Sequence, residues 1–281
     1  MINYTFPKLY ASHSNVDWTG WIDTSRILLF TLVLARVSGI VIMTPVFGTA
    51  DIPVTFRALL AFALAVLMAP TQWFLEIREP ETLPMYAIVL AAELAIGLAL
   101  GLGLYIFFNG LELAGEVIGH VGGLSVAQIF DPVSGDNTPL LSRLTHSLAL
   151  VVFICCGGIR MTLAGLLDTF DSIPLGGGTI PTELGNTLVA ILSLSFGLAF
   201  RVAAPVMVGV LVSMLVIGLL GRTLPQLNLM SIGFSVNAMV TFGILMLSIG
   251  GIAYCFQERI VDVFSLILQT LHANVHAEWL E

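Results

Sequence analysis

The feature that most constrains this chain is a long stretch without charge, from Thr223 to Gln257. About 20 apolar residues suffice for an α-helix to cross a bilayer, so this stretch is long enough to span a membrane. Comparable apolar runs, separated by short polar breaks, recur at 27–45, 54–70, 85–108, 111–130, 148–167, 188–220 and 229–256. The alternation of a β-barrel strand is missing from these runs. The sequence therefore predicts an all-α, membrane-associated protein of about seven long helices and helical hairpins.

Composition supports a membrane protein and argues against several functions. Hydrophobic residues are 57% of the chain and charged residues only 10%, against about 25% charged in soluble proteins. The net charge is −8 and Lys and Arg form no run, so we expect no nucleic-acid binding. The chain contains 3 cysteines, two of them adjacent, which predicts no disulfide framework. GxSxG, Walker A, GxGxxG and HExxH motifs are missing from the sequence, so we expect no enzyme, cofactor or metal.

Proline- and glycine-rich breaks divide the chain. The longest, 171–181, separates an N-terminal five-helix part from a C-terminal hairpin of two long helices, because clusters of Pro, Gly, Asp and Ser favour loops. The hairpin turns at 222–226, and an amphipathic stretch follows at 259–272.

Several charged residues lie inside the apolar runs. Each costs about 2.5–3.5 kcal/mol at the centre of a membrane helix, so each needs a partner or an aqueous cavity. Two interpretations remain open: ion pairs between helices or helix ends at the interface, or helices that line a pore or bind other subunits. A metal or catalytic cluster of Glu112, Glu116 and His120, on one helix face, is disfavoured because no further ligand lies at helical spacing. These candidate buried charges are Arg36, Arg57, Glu93, Glu112, Glu116, Arg160 and Arg201.

Glycine spacing predicts close helix packing. Gly97 and Gly101 are four residues apart, as are Gly115, Gly119 and Gly123. This spacing places small residues on one helix face, where a neighbouring helix can approach closely. The second series ends at Gly122-Gly123-Leu124-Ser125, where a regular helix can break.

At these residues the chain resembles a known family. The run 115–125, closing in Asp131-Pro132, resembles the FliR family of flagellar biosynthetic proteins, which includes the T component of type III secretion export gates. Matches extend over nearly the whole chain and include Glu93 with Gly97 and Gly101, and the connector near Pro174. One departure is Val121, where family members commonly carry Gln.

The resemblance implies a role in protein export. FliR-like subunits look like a fusion of their partners, so 1–178 is expected to be FliP-like and 179–281 to be a FliQ-like helix hairpin with a C-terminal tail. One such subunit joins several FliP-like and FliQ-like subunits in a pore-forming gate of the bacterial inner membrane, in the flagellar basal body. Its surroundings would be lipid, FlhB-like and FlhA-like components of the export apparatus, and the exported flagellar proteins.

The resemblance also implies that the segment 122–131 is the plug of the pore. The glycines free the backbone from helical geometry, the apolar side chains supply bulk, and the residue before Pro132 avoids the α region. The expected plug and gating residues are Gly122, Gly123, Leu124, Ser125, Val126, Ile129, Phe130 and Asp131.

An alternative from another class is an ion-coupled secondary transporter that uses Glu93 or Glu112 as an intramembrane carboxylate. Such transporters are often built from internal repeats. The two halves of this chain differ in helix number, charge and glycine content, which favours the export gate.

Overall fold

The computed structural model describes residues 24–48, 52–73, 82–124, 139–176, 183–223 and 229–278. Within these ranges the chain is helical and contains no strand, so the predicted all-α class is confirmed. The helices are α1 Thr24–Met43, α2 Pro45–Gly48, α3 Val54–Met68, α4 Leu83–Val121, α5 Leu140–Cys155, α6 Gly158–Ser172, α7 Leu184–Thr223 and α8 Leu229–Glu278; a 3₁₀ turn, Ala69–Gln72, follows α3.

Three helix boundaries differ from the sequence prediction. The runs 85–108 and 111–130 were expected to be separate helices, but α4 continues through Gly110. The single run expected at 148–167 is two helices, α5 and α6, bent by 69° at Gly157, whose φ of 74° is the left-handed conformation that favours glycine. The stretch 259–272 is part of α8.

Helix α4 is the centre of the molecule, and it meets each of its main neighbours at a glycine. A Cβ on Gly97 would collide with the carbonyl oxygen of Arg36 in α1. A Cβ on Gly110 would lie 2.6 Å from the carbonyl oxygen of Ser195 in α7, and one on Gly115 would lie 2.5 Å from that of Leu141 in α5. Glycine here permits helices to pack backbone to backbone, so Gly110 serves packing and does not interrupt α4.

Two apolar clusters form the core. One joins the second half of α4 to α5, α7 and α8, with Phe107, Phe108 and Phe256 fully buried at its centre. The other joins α1, α3, the first half of α4 and α6. Because α7 and α8 share a cluster with α4, residues before and after the connector build one common core.

Among the described residues, five helical segments are long and apolar enough to cross a membrane: Ser25–Met43, Val54–Gln72, Leu83–Val121, Leu184–Thr223 and Gly233–Thr270. The bent pair α5–α6 would be a sixth if it counted as one span. At 1.5 Å per residue, α4 and α7 are each about 60 Å long, twice the thickness of a hydrocarbon core of about 30 Å.

Candidate functional site

A buried ion pair lies between α1 and α4. The guanidinium of Arg36 places both Nε and Nη2 2.6 Å from Oε2 of Glu93. Arg36 is 0% and Glu93 1% exposed. A buried pair is compatible with a stable core only when its remaining donors and acceptors are also satisfied.

Nη1 of Arg36 and Oε1 of Glu93 are taken up by α6 and the chain after it. Nη1 of Arg36 donates to the carbonyl oxygens of Thr169, at 2.9 Å, and Ile173, at 3.0 Å. The Phe170 ring lies 4.6 Å from the guanidinium carbon, a cation–π distance. The backbone N–H of Gly176 donates to Oε1 of Glu93 at 3.1 Å. The pair therefore fixes α1, α4, the end of α6 and the beginning of the connector to one another.

Glycine brings the two charges within reach. Gly97 lies one turn after Glu93 and faces the backbone of Arg36, while a Cβ on Gly39 would lie 2.7 Å from the carbonyl oxygen of Leu94. A side chain at either glycine would separate α1 from α4. Gly101 has the same role one turn further on, because a Cβ there would lie 2.6 Å from Cβ of Met43.

The other candidate charges lie nearer the surface. Arg57 is half-buried and donates to the carbonyl oxygen of Ile52 at 2.9 Å. Glu112 approaches His146 of α5, with 3.8 Å between Oε2 and Nδ1. Glu116, Arg160 and Arg201 are exposed in the part of the chain that the structure describes.

The end of α4 has the geometry of a glycine helix stop. The N–H of Leu124 donates to the carbonyl of Gly119, the N–H of Gly123 donates to that of His120, and Gly123 has a φ of 75°. These two bonds and the left-handed residue make a Schellman motif. Gly122 lies against α8, since a Cβ there would be 2.8 Å from Oγ1 of Thr241. The plug candidates Ser125, Val126, Ile129, Phe130 and Asp131 lie outside the described residues.

Sequence reasoning missed several residues of these contacts. Thr169 and Gly176 belong to the charged centre, His146 faces Glu112, and Thr241 faces Gly122. Gly176 lies in the connector 171–181, whose composition predicted a loop, but no local pattern indicates that its N–H binds a carboxylate. In the part of the chain that the structure describes, no three His, Cys, Asp or Glu side chains are placed to hold a metal ion.

The fold and these contacts define a multi-pass helical membrane protein with a charged centre inside its helix bundle. The chain belongs to the family described as bacterial export proteins, family 1, whose model matches residues 27–263. It is 29% identical over 252 residues to the flagellar biosynthetic protein FliR of Escherichia coli K12, covering 89% of this chain and 94% of that protein.

Other relatives are similar to this chain over most of its length. The flagellar biosynthetic protein FliR of Bacillus subtilis is 28% identical over 249 residues, covering 86% of this chain and 92% of that protein. The flagellar biosynthetic protein FliR of Aquifex aeolicus is 28% identical over 247 residues, covering 86% of this chain and 94% of that protein. The resemblance found at residues 115–132 is confirmed, and the chain is a multi-pass inner-membrane component of the flagellar export apparatus.

Proposed function

We propose that this chain is a non-enzymatic subunit of the flagellar type III secretion export gate and helps form the pore that passes unfolded flagellar proteins across the inner membrane. The observation that carries the proposal, beyond family membership, is the outer face of α7. This face is too long for the bilayer to cover and carries a charge that the described chain does not neutralise.

Exposed apolar side chains follow α7 over nearly its whole length, from Val189 through Phe200 to Leu219. Lipid tails can cover about half of a helix of this length. The remaining apolar surface needs protein contact, because monomeric proteins rarely leave so large an apolar patch in water.

Arg201 lies near the middle of this face. It is exposed, it is the only charged residue between Leu184 and Gly221, and none of the described residues forms a hydrogen bond or ion pair with it. A charge among exposed apolar side chains is retained when a neighbouring molecule supplies the opposite charge. The outer face of α7 is therefore suited to a partner helix that carries a carboxylate.

FliP-like and FliQ-like subunits are the partners in this proposal, with FlhB-like and FlhA-like proteins as further components of the apparatus. Residues 1–178 would correspond to the FliP-like part and 179–281 to the FliQ-like hairpin. The two long helices α7 and α8, which follow one another in the sequence, support this correspondence. The segment 122–131 would close the pore, and the helix stop at Gly123 supports it by ending α4 where the loop begins.

The transporter alternative has less support. A carboxylate that couples ion movement must bind and release a proton or cation, whereas both oxygens of Glu93 are held by Arg36 and Gly176. Membership in an export family also favours the gate.

Co-purification tests the proposal. We expect FliP-like and FliQ-like subunits to be recovered with the tagged chain, and Arg201→Glu to reduce their recovery, because reversal sets like charges against each other. Arg222→Glu, at the exposed end of α7, is the matched control and should leave recovery unchanged. A wild-type chain that purifies as a stable monodisperse protein without these partners would contradict the proposal.

A further inference from the structure

The surface chemistry of α4 changes halfway along the helix. In its first half the exposed large side chains are apolar, among them Met85 and Ile88. In its second half the exposed residues are Tyr105, Glu116 and His120. The half-exposed polar residues Asn109 and Glu112 lie between them.

These five positions fall on one side of the helix. Their spacing of three or four residues places them one above another. We call Tyr105, Asn109, Glu112, Glu116 and His120 the polar stripe. The opposite side of the same segment contributes Phe107, Phe108 and Leu111 to the core, so this half of α4 is amphipathic although its composition is mainly apolar.

Helix α5 extends the polar surface. His146 faces Glu112 across the helix pair, and Arg143 is exposed one turn before it. Both signs of charge are therefore present on this hairpin. In the sequence, its two helices come directly before and after the segment 125–138.

The neighbouring surfaces differ in kind. The exposed large side chains of α3 include Phe56, Leu59 and Leu67, and those of α7 include Leu211 and Leu215. These faces suit lipid or apolar protein. The polar stripe suits neither, because a charged surface requires water or a partner of opposite charge.

Pairing within the chain does not remove the need for water. The side chains of Glu116 and His120 lie 3.7 Å apart and remain 48% and 60% exposed. Since these groups already lie beside partners of their own chain, they do not demand a charged partner subunit.

We propose that the polar stripe, with Arg143 and His146, faces the aqueous passage of the assembled gate and contacts the exported polypeptide. This inference rests on the proposed function. Carboxylate, imidazole, amide and phenol groups can donate and accept hydrogen bonds, which suits the peptide groups of an unfolded chain of any sequence. The mixed charges avoid strong attraction to either acidic or basic segments.

Thiol accessibility tests the inference in the intact complex. Cys155, Cys156 and Cys255 are first replaced by Ser, and single cysteines are then introduced as Asn109→Cys, Glu116→Cys and His120→Cys. A membrane-impermeant cationic thiosulfonate should label all three in gates that co-purify with their partners and support motility. Leu211→Cys and Leu215→Cys are controls on an apolar face that is equally exposed in the single chain. They should react at least about tenfold more slowly, because apolar surroundings suppress the reactive thiolate.

A second measurement keeps the wild-type cysteines. A photo-crosslinking amino acid at position 116 should form a covalent product with a flagellar protein stalled during export, and one at position 215 should not. Crosslinking at position 116 only to a partner subunit or to lipid, or labelling of the stripe as slow as that of the controls, would overturn the inference. If the gate still assembles and supports motility in that case, the proposed function stands; if no partner co-purifies, the proposed function fails first.

Discussion

At the scale of single residues, Arg36 and Glu93 are the most tightly bound groups of the site. Their charges are shielded from solvent, Nη1 of Arg36 donates to Thr169 and Ile173, and Oε1 of Glu93 accepts from Gly176. In such an arrangement the loss of one member leaves the other charge buried without compensation, which typically costs about 3–5 kcal/mol.

We therefore expect Glu93→Ala to lower the thermal stability of the purified gate strongly. Glu93→Gln should lower it less, because an amide keeps the shape and can still accept the bond from Gly176. Thermal unfolding of the co-purified complex, together with motility, measures the difference. If both variants assemble and swim as the wild type does, the carboxylate has no structural or coupling role.

A double-mutant cycle with Arg36→Leu and Glu93→Leu separates the interaction between the two side chains from their contacts with the rest of the protein. The double variant Arg36→Leu with Glu93→Leu should be more stable than either single variant, since two apolar side chains replace a buried pair at little net cost. A double variant that loses the sum of the two single effects would show that the two residues act independently.

The sequence indicated that Arg36 and Glu93 are unusual, because a charge inside an apolar run is costly. It did not indicate their partners on α6 and in the connector. Those contacts join positions far apart in sequence, and they are made partly by backbone groups, whose involvement leaves no mark on residue type.

At the scale of helices, close approach at glycine explains how α4 can touch α1, α5, α7 and α8. The spacing of Gly97, Gly101 and Gly115 predicted such packing faces, and the structure places each beside a neighbouring helix. The predicted break after 108 failed for the same reason. The break at 109–110 separates two apolar runs in the sequence, whereas in the structure the missing side chain of Gly110 makes room for α7.

Two substitutions of glycine by alanine distinguish the effect of packing from that of helix propensity. Gly97→Ala should destabilise the protein by about 1–3 kcal/mol, as overpacking does, because its Cβ meets the backbone of Arg36. Gly197→Ala is the matched control, since a Cβ there meets nothing within 4 Å. Alanine in a helix interior is favoured over glycine by about 0.5–1 kcal/mol, so the control should be neutral or stabilising. Thermal unfolding compares the two, and equal effects would contradict the packing argument.

Shortening the segment between α4 and α5 tests the proposed plug. Deletion of 126–130 removes apolar bulk but keeps the helix stop at Gly123, so the gate should still assemble. Leakage of ions through membranes that overproduce the gate should then rise. A matched control replaces the same five residues with Gly and Ser, which keeps the loop length and removes the seal. Unchanged permeability in both assembled variants would refute a plug while leaving membership in the gate intact.

At the scale of the whole molecule, the chain presents large apolar faces, several exposed charges within apolar helices, and helices about twice as long as a bilayer is thick. The all-α class could be predicted from the apolar runs alone, but the continuity of α4 and the bend between α5 and α6 could not. The sharing of one core by α4, α7 and α8 could not, because hydrophobic periodicity identifies the buried face of a helix without identifying what covers it.

We expect the chain expressed alone to be unstable or aggregated in detergent. Co-expression with FliP-like and FliQ-like subunits should raise the yield of monodisperse protein, because their contacts cover apolar surface and compensate charges such as Arg201. Size-exclusion profiles and thermal unfolding of the two preparations provide the comparison. Equal yield and equal stability without partners would contradict this expectation.

The antiparallel return of α8 along α4 has a consequence for the order of biosynthesis. Phe256 packs on Phe107 and Phe108, with ring centres 5.1 and 5.3 Å apart. Ribosomes add about 5–20 residues per second, so the two earlier rings emerge roughly 7 to 30 seconds before the ring that covers them. During that interval one flank of α4 is unprotected in the newly inserted chain. Helix α8, which is synthesised last, thus completes the bundle. A ribosome that stalls before α8 leaves an incomplete bundle with an exposed apolar surface, which the quality control of the cell can recognise.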